Sequence, residues 1–489
     1  MTRTATEIGR GLAPARKARP IRAGERIHVV GAAGAGASAA VLLAHRAGAH
    51  VSGCDPGAPS PYSAAIEAVG ITLERQHSPL HVRVADGVPP ERLAVTKALT
   101  AVDPDHPELV AARDMGIPAE PWQQVIADAA ATGAQALVAV AGTHGKSTTG
   151  GWLVDLLVRA GRDPSAFVGA LLDPALTGGV ASTARWGEGS VFVAEADEYA
   201  GNFDAYQPGT IVLLNAEWDH PDVFADEEAV LRAFETWIRR APDATLVANV
   251  GDAGVSRIVE LLEPWSGHLV TVALDGNAQL VGRATMSESG TTLAVGDHSY
   301  RVGLVGPANA ANAIAVVGAA LALGVDEEAL RLSLAQFAGV GRRLELKGEI
   351  GGVIVLDDYG HHPTAIARTL EAVRTRYPER RLWAVYEPLT YHRTALLLDR
   401  FAEVLATADE VAVADIWAGR DPDTTITSAQ ALADAVTRRG VARAVAPGSV
   451  ERTADHLAER VRSGDVVLVM GGGRSYVIAS RLVELLRAR

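Results

Sequence analysis

A chain of 489 residues is too long for one compact core and predicts about three domains of roughly 150 residues each. Its composition, 48% hydrophobic and 21% charged, is that of an ordinary folded protein, and a formal net charge of −13 excludes non-specific binding to nucleic acid, a polyanion. The sole cysteine, Cys54, excludes an intramolecular disulfide and a cysteine-cluster zinc site, and fits a reducing cytoplasm.

The first 24 residues are basic and lack the apolar stretch of a secretory signal, so they read as a flexible tail. No apolar run reaches the 18 or so residues of a membrane span; the longest candidate, "AIAVVGAALALGV" at 313–325, reads as a buried helix. A cytoplasmic protein without membrane insertion is the expectation.

The first unit, 25–133, opens with "RIHVVGAAGAGASAAVLLAHRAGAHVSGCD" at 26–55. "IHVV" predicts a strand, the glycines a tight turn, "ASAAVLLAHRAG" a helix and "HVSGCD" a second strand. Free N–H groups at a helix N-terminus favour a phosphate there. Asp55 ends the second strand, where a carboxylate can accept a bond from a ribose hydroxyl. Ala33 replaces the middle glycine counted from Gly31, whereas Gly34, Gly36 and Ala39 form a permitted variant. The residues alone leave a nucleotide site, as in a nicotinamide-dependent oxidoreductase, and a merely structural turn equally open.

The second unit, 134–338, begins "AQALVAVAGTHGKSTTGGWLVDLLVRAG". Strand, glycine-containing loop and helix follow one another, the context a phosphate loop requires. Val140 stands where the common pattern has its first glycine, yet Gly142 and Gly145 still permit tight turns. Lys146 can reach terminal phosphates, and the Ser147 hydroxyl can bind magnesium. Two apolar strands then run into acidic residues. "VFVAEADEYAGNF" carries Glu195, Asp197 and Glu198, and "TIVLLNAEWDHPDVF" carries Asn215, Glu217, Asp219 and His220. Carboxylates at strand ends beside a phosphate loop are what a magnesium–ATP site needs.

The third unit, 339–489, alternates the strands "GVIVLDDYG", "RLWAVYEP", "EVAVADIWAG" and "DVVLVMGGG" with helices, which predicts a parallel sheet. Its strand ends carry Asp357, Asp358, His361 and His362, then Tyr391, His392 and Arg393. The adjacent histidines point to different sides, so at most one belongs to a site.

These segments together resemble the Mur ligases of peptidoglycan precursor synthesis. The resemblance rests on "GTHGKST" at 142–148, "EADE" at 195–198, "DH" at 219–220, "NAAN" at 309–312, "GVGRRLE" at 339–345 and "DDYGHHPT" at 357–364. It implies three α/β domains, each built on a mostly parallel sheet: an N-terminal Rossmann-like domain, a central P-loop ATPase-like domain and a C-terminal Rossmann-like domain. It further implies an ATP- and Mg2+-dependent amide ligase joining an amino acid, L-alanine in the branch it is most similar to, to the lactyl carboxylate of UDP-N-acetylmuramate through an acyl phosphate. A homodimer is left open.

By the same resemblance, Gly142, Thr143, His144, Gly145, Lys146, Ser147 and Thr148 hold the ATP phosphates, and Asn309, Asn312 and Asp358 the adenine and ribose. Ser147 and Glu195 bind the metal, His220 sits at a second metal or at the reacting carboxylate, Arg343 reaches the γ-phosphate when the domains close, and Arg393 binds the amino-acid carboxylate. Gly31, Gly34, Gly36, Ser38 and Asp55 hold the UDP-sugar. The departures are Leu389 for a histidine in "PLTYHRT", Ala308 before Asn309, Ala33 in the first turn, and the absence of Ser-Asp after Glu198. The last leans toward the sister ligase that returns whole peptides to UDP-N-acetylmuramate.

Overall fold

The structure is a computed structural model describing residues 2–83, 87–133, 135–287, 290–419, 421, 423–440 and 443–489. Its strands form three sheets. The first contains β1 (Arg26–Val30), β2 (His50–Cys54), β3 (Arg92–Val95) and β4 (Ala119–Pro121), ordered β2-β1-β3-β4 and parallel throughout.

The second contains β5 (Ala136–Ala141), β6 (Ser165–Leu172), β7 (Ser182–Arg185), β8 (Val191–Ala196), β9 (Thr210–Leu213), β10 (Thr245–Asn249) and β11 (His268–Ala273). It continues through β12 (Leu280–Ser287), β13 (Gly290–Val295) and β14 (His298–Val302). Their order is β14-β13-β12-β11-β10-β9-β5-β8-β6-β7. The phosphate-loop strand β5 therefore lies between β8 and β9, parallel to both, so the loop and both acidic segments leave the same edge of the sheet.

The third contains β15 (Glu345–Ile350), β16 (Val353–Asp358), β17 (Arg381–Glu387), β18 (Glu410–Ala414), β19 (Arg443–Gly448) and β20 (Asp465–Gly471). Their order is β15-β16-β20-β17-β18-β19. It is parallel except for β15, an antiparallel edge strand that the sequence reading did not anticipate. "ELKGEI" lacks the buried apolar run that marked its neighbours, because an edge strand needs to bury less. In β16, Ile354 and Leu356 join one apolar cluster and Val353 and Val355 another, so both faces of the sheet are covered.

The chain gathers into two compact units. One comprises Met1–Ala284, Leu293–Gly303 and Ala311–Val340; the other comprises Thr285–Thr292, Leu304–Ala310 and Gly341–Arg489. The first therefore holds the N-terminal sheet and most of the central one. Within it, helix Ala35–Arg46 follows the first glycine turn and presents small residues to its neighbours. A Cβ on Gly36 would lie 2.2 Å from the Trp122 ring, so this glycine admits the close approach of helix Trp122–Thr132.

Residues 2–24, expected as a flexible tail, are instead packed onto this unit. A capped turn at Ala5–Ile8 buries Ile8 completely, and the Arg3 amide donates to the Asp222 carbonyl at 2.7 Å. Arg16 bonds Glu120 at 2.7 Å and Asp128 at 2.7 Å, beside the buried Arg92, which reaches the same two carboxylates. Of the segment's basic residues, Arg3, Arg16, Arg19 and Arg22 are held in ion pairs. Among the described residues no helix is long and apolar enough to cross a membrane, and "AIAVVGAALALGV" lies within and just beyond the largely buried helix Pro307–Ala322.

Candidate active site

Loop 142–145 turns because Gly142 (φ 137°) and Gly145 (φ 82°) occupy backbone regions closed to side chains. The segment after β9 holds it. Asn215 accepts from the His144 amide at 2.7 Å and donates to the His144 carbonyl at 3.0 Å, and the Glu217 amide donates to the Thr143 hydroxyl at 2.9 Å. The His144 ring faces the Glu217 carboxylate at 3.5 Å. Asn215 and Glu217, named in the sequence as part of the acidic strand end, form the clamp that shapes the loop. Asn312 lies against the turn, its Oδ1 2.6 Å from where a Gly145 Cβ would be. Helix Lys146–Arg159 starts here, and the first amides of a helix have no acceptor within it. Ser147 and Thr148, in its first turn, are buried.

Lys146 folds its ammonium back onto the Gly142 carbonyl at 2.6 Å and the Glu198 carboxylate at 2.9 Å, with Asp197 at 3.5 Å. Burial opposes its charge, but Glu198, Asp197 and Glu195 outweigh burial and raise its pKa. Burial, aided by Asp197, pushes the Glu198 carboxyl up despite Lys146. Burial also disfavours the Asp197 anion, yet Lys146 and His220 hold that carboxyl below its ordinary value.

Asp197, Glu198 and His220 offer ligand atoms within 4.8 Å of one another. His220 reaches this place through a left-handed backbone (φ 54°) and an edge contact with the Tyr199 ring at 4.9 Å. Glu195 stands apart from that trio. Its carboxylate accepts from the Gly169 amide at 2.7 Å, and a Cβ on Gly169 would meet it at 2.8 Å. The structure thus brings Lys146, Glu195 and His220 to one strand-end region and adds Asp197 and Glu198 as their nearest charged neighbours. Tyr206, unremarked in the sequence, is buried with no hydrogen-bond partner for its hydroxyl among the described residues, and burial beside Glu195 and Asp197 keeps that hydroxyl protonated. Lys97 is also new. It follows β3, donates to the Ala200 carbonyl at 2.6 Å, and burial lowers its pKa to about 8.

At the first glycine turn, Gly34 is exposed at the start of its helix and Gly31 adopts φ 80°. Three expected ligand contacts there resolve differently. Asp55 spends its carboxylate on the Ala33 amide at 2.9 Å and the Gly57 amide at 2.7 Å, so it braces the turn. Ser38 is completely buried and bonds the Ala35 carbonyl at 2.9 Å and the Thr183 hydroxyl at 3.0 Å, so it joins the helix to β7. Gly36 faces Trp122, as described.

In the second unit, Arg343 lies over the Tyr359 ring at 4.7 Å. Its neighbours Arg342 (φ 59°) and Leu344 (φ 50°) are both left-handed; the Arg342 amide donates to Glu345 at 2.9 Å, and Asp358 holds Leu344. That carboxylate accepts from the Leu344 amide at 2.9 Å and the Gly360 amide at 2.7 Å. Asp358, expected at the ribose, is buried and braces the Arg343 loop. Arg342 is fastened inward, donating to Asp357 at 3.2 Å and to the Gly471 carbonyl at 2.9 Å. Asn309 donates to the Val305 carbonyl at 2.9 Å, and Arg393 is buried in the short helix Tyr391–Leu396. His362 caps helix Pro363–Arg376, while His361 turns to the Tyr359 carbonyl at 3.0 Å, so the two part as expected. Glu387, at the end of β17, was missed: burial raises its carboxyl to about 7, and one of its oxygens has no hydrogen-bond partner.

Profiles of known families match nearly the whole chain. "Mur ligase family, catalytic domain" covers 26–133, "Mur ligase middle domain" 140–320, and "Mur ligase, glutamate ligase domain" 342–473. Two similar relatives are named UDP-N-acetylmuramate–L-alanine ligase. The one from Kineococcus radiotolerans is 37% identical, covering 95% of this chain and 97% of its own. The one from Roseiflexus is 34% identical, covering 94% and 99%. Among solved structures, the UDP-N-acetylmuramate-alanine ligase MurC of Thermotoga maritima shares the fold with a TM-score of 0.79 at 23% identity, over 95% of this chain and 99% of that one. Matched by three family models from residue 26 to 473, and by relatives over more than nine-tenths of its length, the chain belongs to the Mur ligase family.

Proposed function

We propose that this protein joins L-alanine to UDP-N-acetylmuramate at the expense of ATP. The observation that carries this reading is the phosphate loop with Lys146 set against Asp197 and Glu198, on a chain similar along its length to L-alanine ligases. The nicotinamide reading of residues 27–55 falls away, because that segment lies within the family's own N-terminal domain.

Lys146 and the loop amides would hold the β- and γ-phosphates once ATP displaces the ammonium from Glu198. The lactyl carboxylate of the sugar nucleotide attacks the γ-phosphorus in line, expelling ADP and leaving an acyl phosphate. The amine of L-alanine then adds to the acyl carbon, loses a proton, and phosphate departs. No side-chain nucleophile is required, so catalysis is positioning and charge stabilisation. Arg343 is the proposed partner of the γ-phosphate, and Arg393 of the L-alanine carboxylate. The carboxylates and imidazole gathered here fit a hard divalent cation, and magnesium held by Ser147, Glu195 and His220, beside Asp197 and Glu198, would neutralise phosphate charge. Gly31 and Gly34 would approach the UDP diphosphate, with Asp55 and Ser38 supporting from behind.

The test is ADP release with UDP-N-acetylmuramate, ATP and magnesium while glycine, L-serine, L-alanine or the stem tripeptide is offered in turn. Release driven by L-alanine is the expected outcome. Release driven by the tripeptide alone would move the protein to the peptide-recycling ligases, the direction in which the absence of Ser-Asp after Glu198 leans.

A further inference from the structure

Four side chains from four segments converge on a buried point in the N-terminal sheet domain, away from the phosphate loop. They are His28 on β1, Cys54 at the end of β2, His81 in the turn Pro79–His81, and Glu108 in helix Pro107–Asp114. One ligand atom of each lies within 4.8 Å of all the others. Cys54 and Glu108 are 0% exposed and His28 is 2% exposed.

Glu108 is the hub. Its oxygens lie 3.2 and 3.3 Å from the Cys54 sulfur, 2.8 Å from His81 Nδ1 and 3.7 Å from His28 Nε2. Bonds of about 2.0–2.3 Å to a tetrahedral ion set ligand atoms about 3.3–3.8 Å apart, and the separations from the Glu108 oxygens overlap that range.

His28 supplies the independent sign. Its Nδ1 lies 2.8 Å from the Ser52 hydroxyl, which fixes the ring, while its Nε2 faces the cluster with no hydrogen-bond partner among the described residues. A buried imidazole nitrogen left in this way is costly, and an outer partner on the other nitrogen is the usual arrangement of a metal-bound histidine. Outer contacts also hold the hub: the Ser78 amide donates to Glu108 at 2.8 Å. His77 stands behind the thiol at 3.2 Å, its ring edge-on to His106 with centroids 4.5 Å apart.

We infer that this cluster binds a divalent transition-metal ion of the zinc class, with Cys54 Sγ, His28 Nε2, His81 Nδ1 and a Glu108 oxygen as ligands. One sulfur, two nitrogens and one oxygen suit a borderline-soft tetrahedral ion, and a mixed set needs no second cysteine. On binding, the thiol releases its proton to solvent and the thiolate joins the metal. The ion ties the sheet's edge strand β2 to β1, the 79–81 turn and helix Pro107–Asp114. It does so one residue before Asp55, which braces the glycine turn.

The experiment is cobalt(II) titration of the metal-stripped full-length protein. The chain has one cysteine, so a thiolate-to-cobalt charge-transfer band in the near ultraviolet reports this site alone and is blind to cobalt at the acidic strand ends. The expected result is one equivalent producing the band, bleached by one equivalent of zinc. The band is lost in Cys54→Ser, and cobalt binds at least ten-fold more weakly in His81→Asn. Should circular dichroism show Cys54→Ser unfolded, the His81→Asn comparison, at a half-buried ligand, decides. Cobalt uptake by the folded wild type without the band overturns the inference, as does an unchanged affinity in His81→Asn.

Discussion

At the scale of single residues, Lys146 and Glu387 make opposite demands on their surroundings. Three carboxylates raise the Lys146 pKa, so its charge is permanent at working pH. Lys146→Ala removes the cation proposed to stabilise charge on the transferring phosphoryl group. ADP release should fall about 100- to 1000-fold, while thermal unfolding shows that the fold survives. Glu387 is the reverse, a carboxyl held by burial at about 7 against an ordinary 4.5. The folded chain therefore binds this proton more tightly than the unfolded chain does. The stability it contributes is complete below pH 4.5 and is lost as pH rises through about 7. Glu387→Gln escapes the cost of ionisation. Its urea midpoint should exceed that of the wild type at pH 8 by the equivalent of about 3 kcal/mol at most, and the gap should close near pH 4.5.

At the scale of elements, the N-terminal segment shows how charge decides order. Arg16 meets Glu120 and Asp128 while about a third exposed, so it is partly shielded from solvent. Arg16→Ala should lower stability by about 2 kcal/mol in denaturant unfolding and admit proteases to residues 2–24. A surface tail would show neither effect. The regular elements that position the candidate site were legible, because runs such as "ALVAVA" and "VVLVM" are buried on both sides of a parallel sheet and record that burial in their composition. The edge strand β15 and the tail were not, since neither carries an apolar signature and both depend on what lies beside them.

At the scale of the whole molecule, the chain builds the three sheet domains that length suggested, and two of them, the N-terminal and central sheets, share packing within one compact unit. Helix Ala35–Arg46 belongs to one apolar cluster with β5, β6 and β8. Calorimetric unfolding should therefore depart from a single two-state transition. UDP-N-acetylmuramate at 100 times its Kd should move only the transition of the unit carrying the glycine turn, by about 2.7 kcal/mol. A shift shared equally by both transitions would count against that assignment.

The sequence by itself determined the phosphate loop, the acidic strand ends and the family, since a turn needing left-handed glycines before a helix is local chemistry that spacing preserves. It could not determine what each polar side chain touches. Asp55, Ser38 and Asp358 have the residue types of ligand contacts, and in the fold they also serve as a brace, a seam between helix and strand, and the support of the Arg343 loop. The same limit hid the gathering of His28, Cys54, His81 and Glu108, which lie up to 80 residues apart in the chain. A side chain's partner is set by which distant segments the closed sheets bring within about 3 Å of it, and only the tertiary structure fixes that distance.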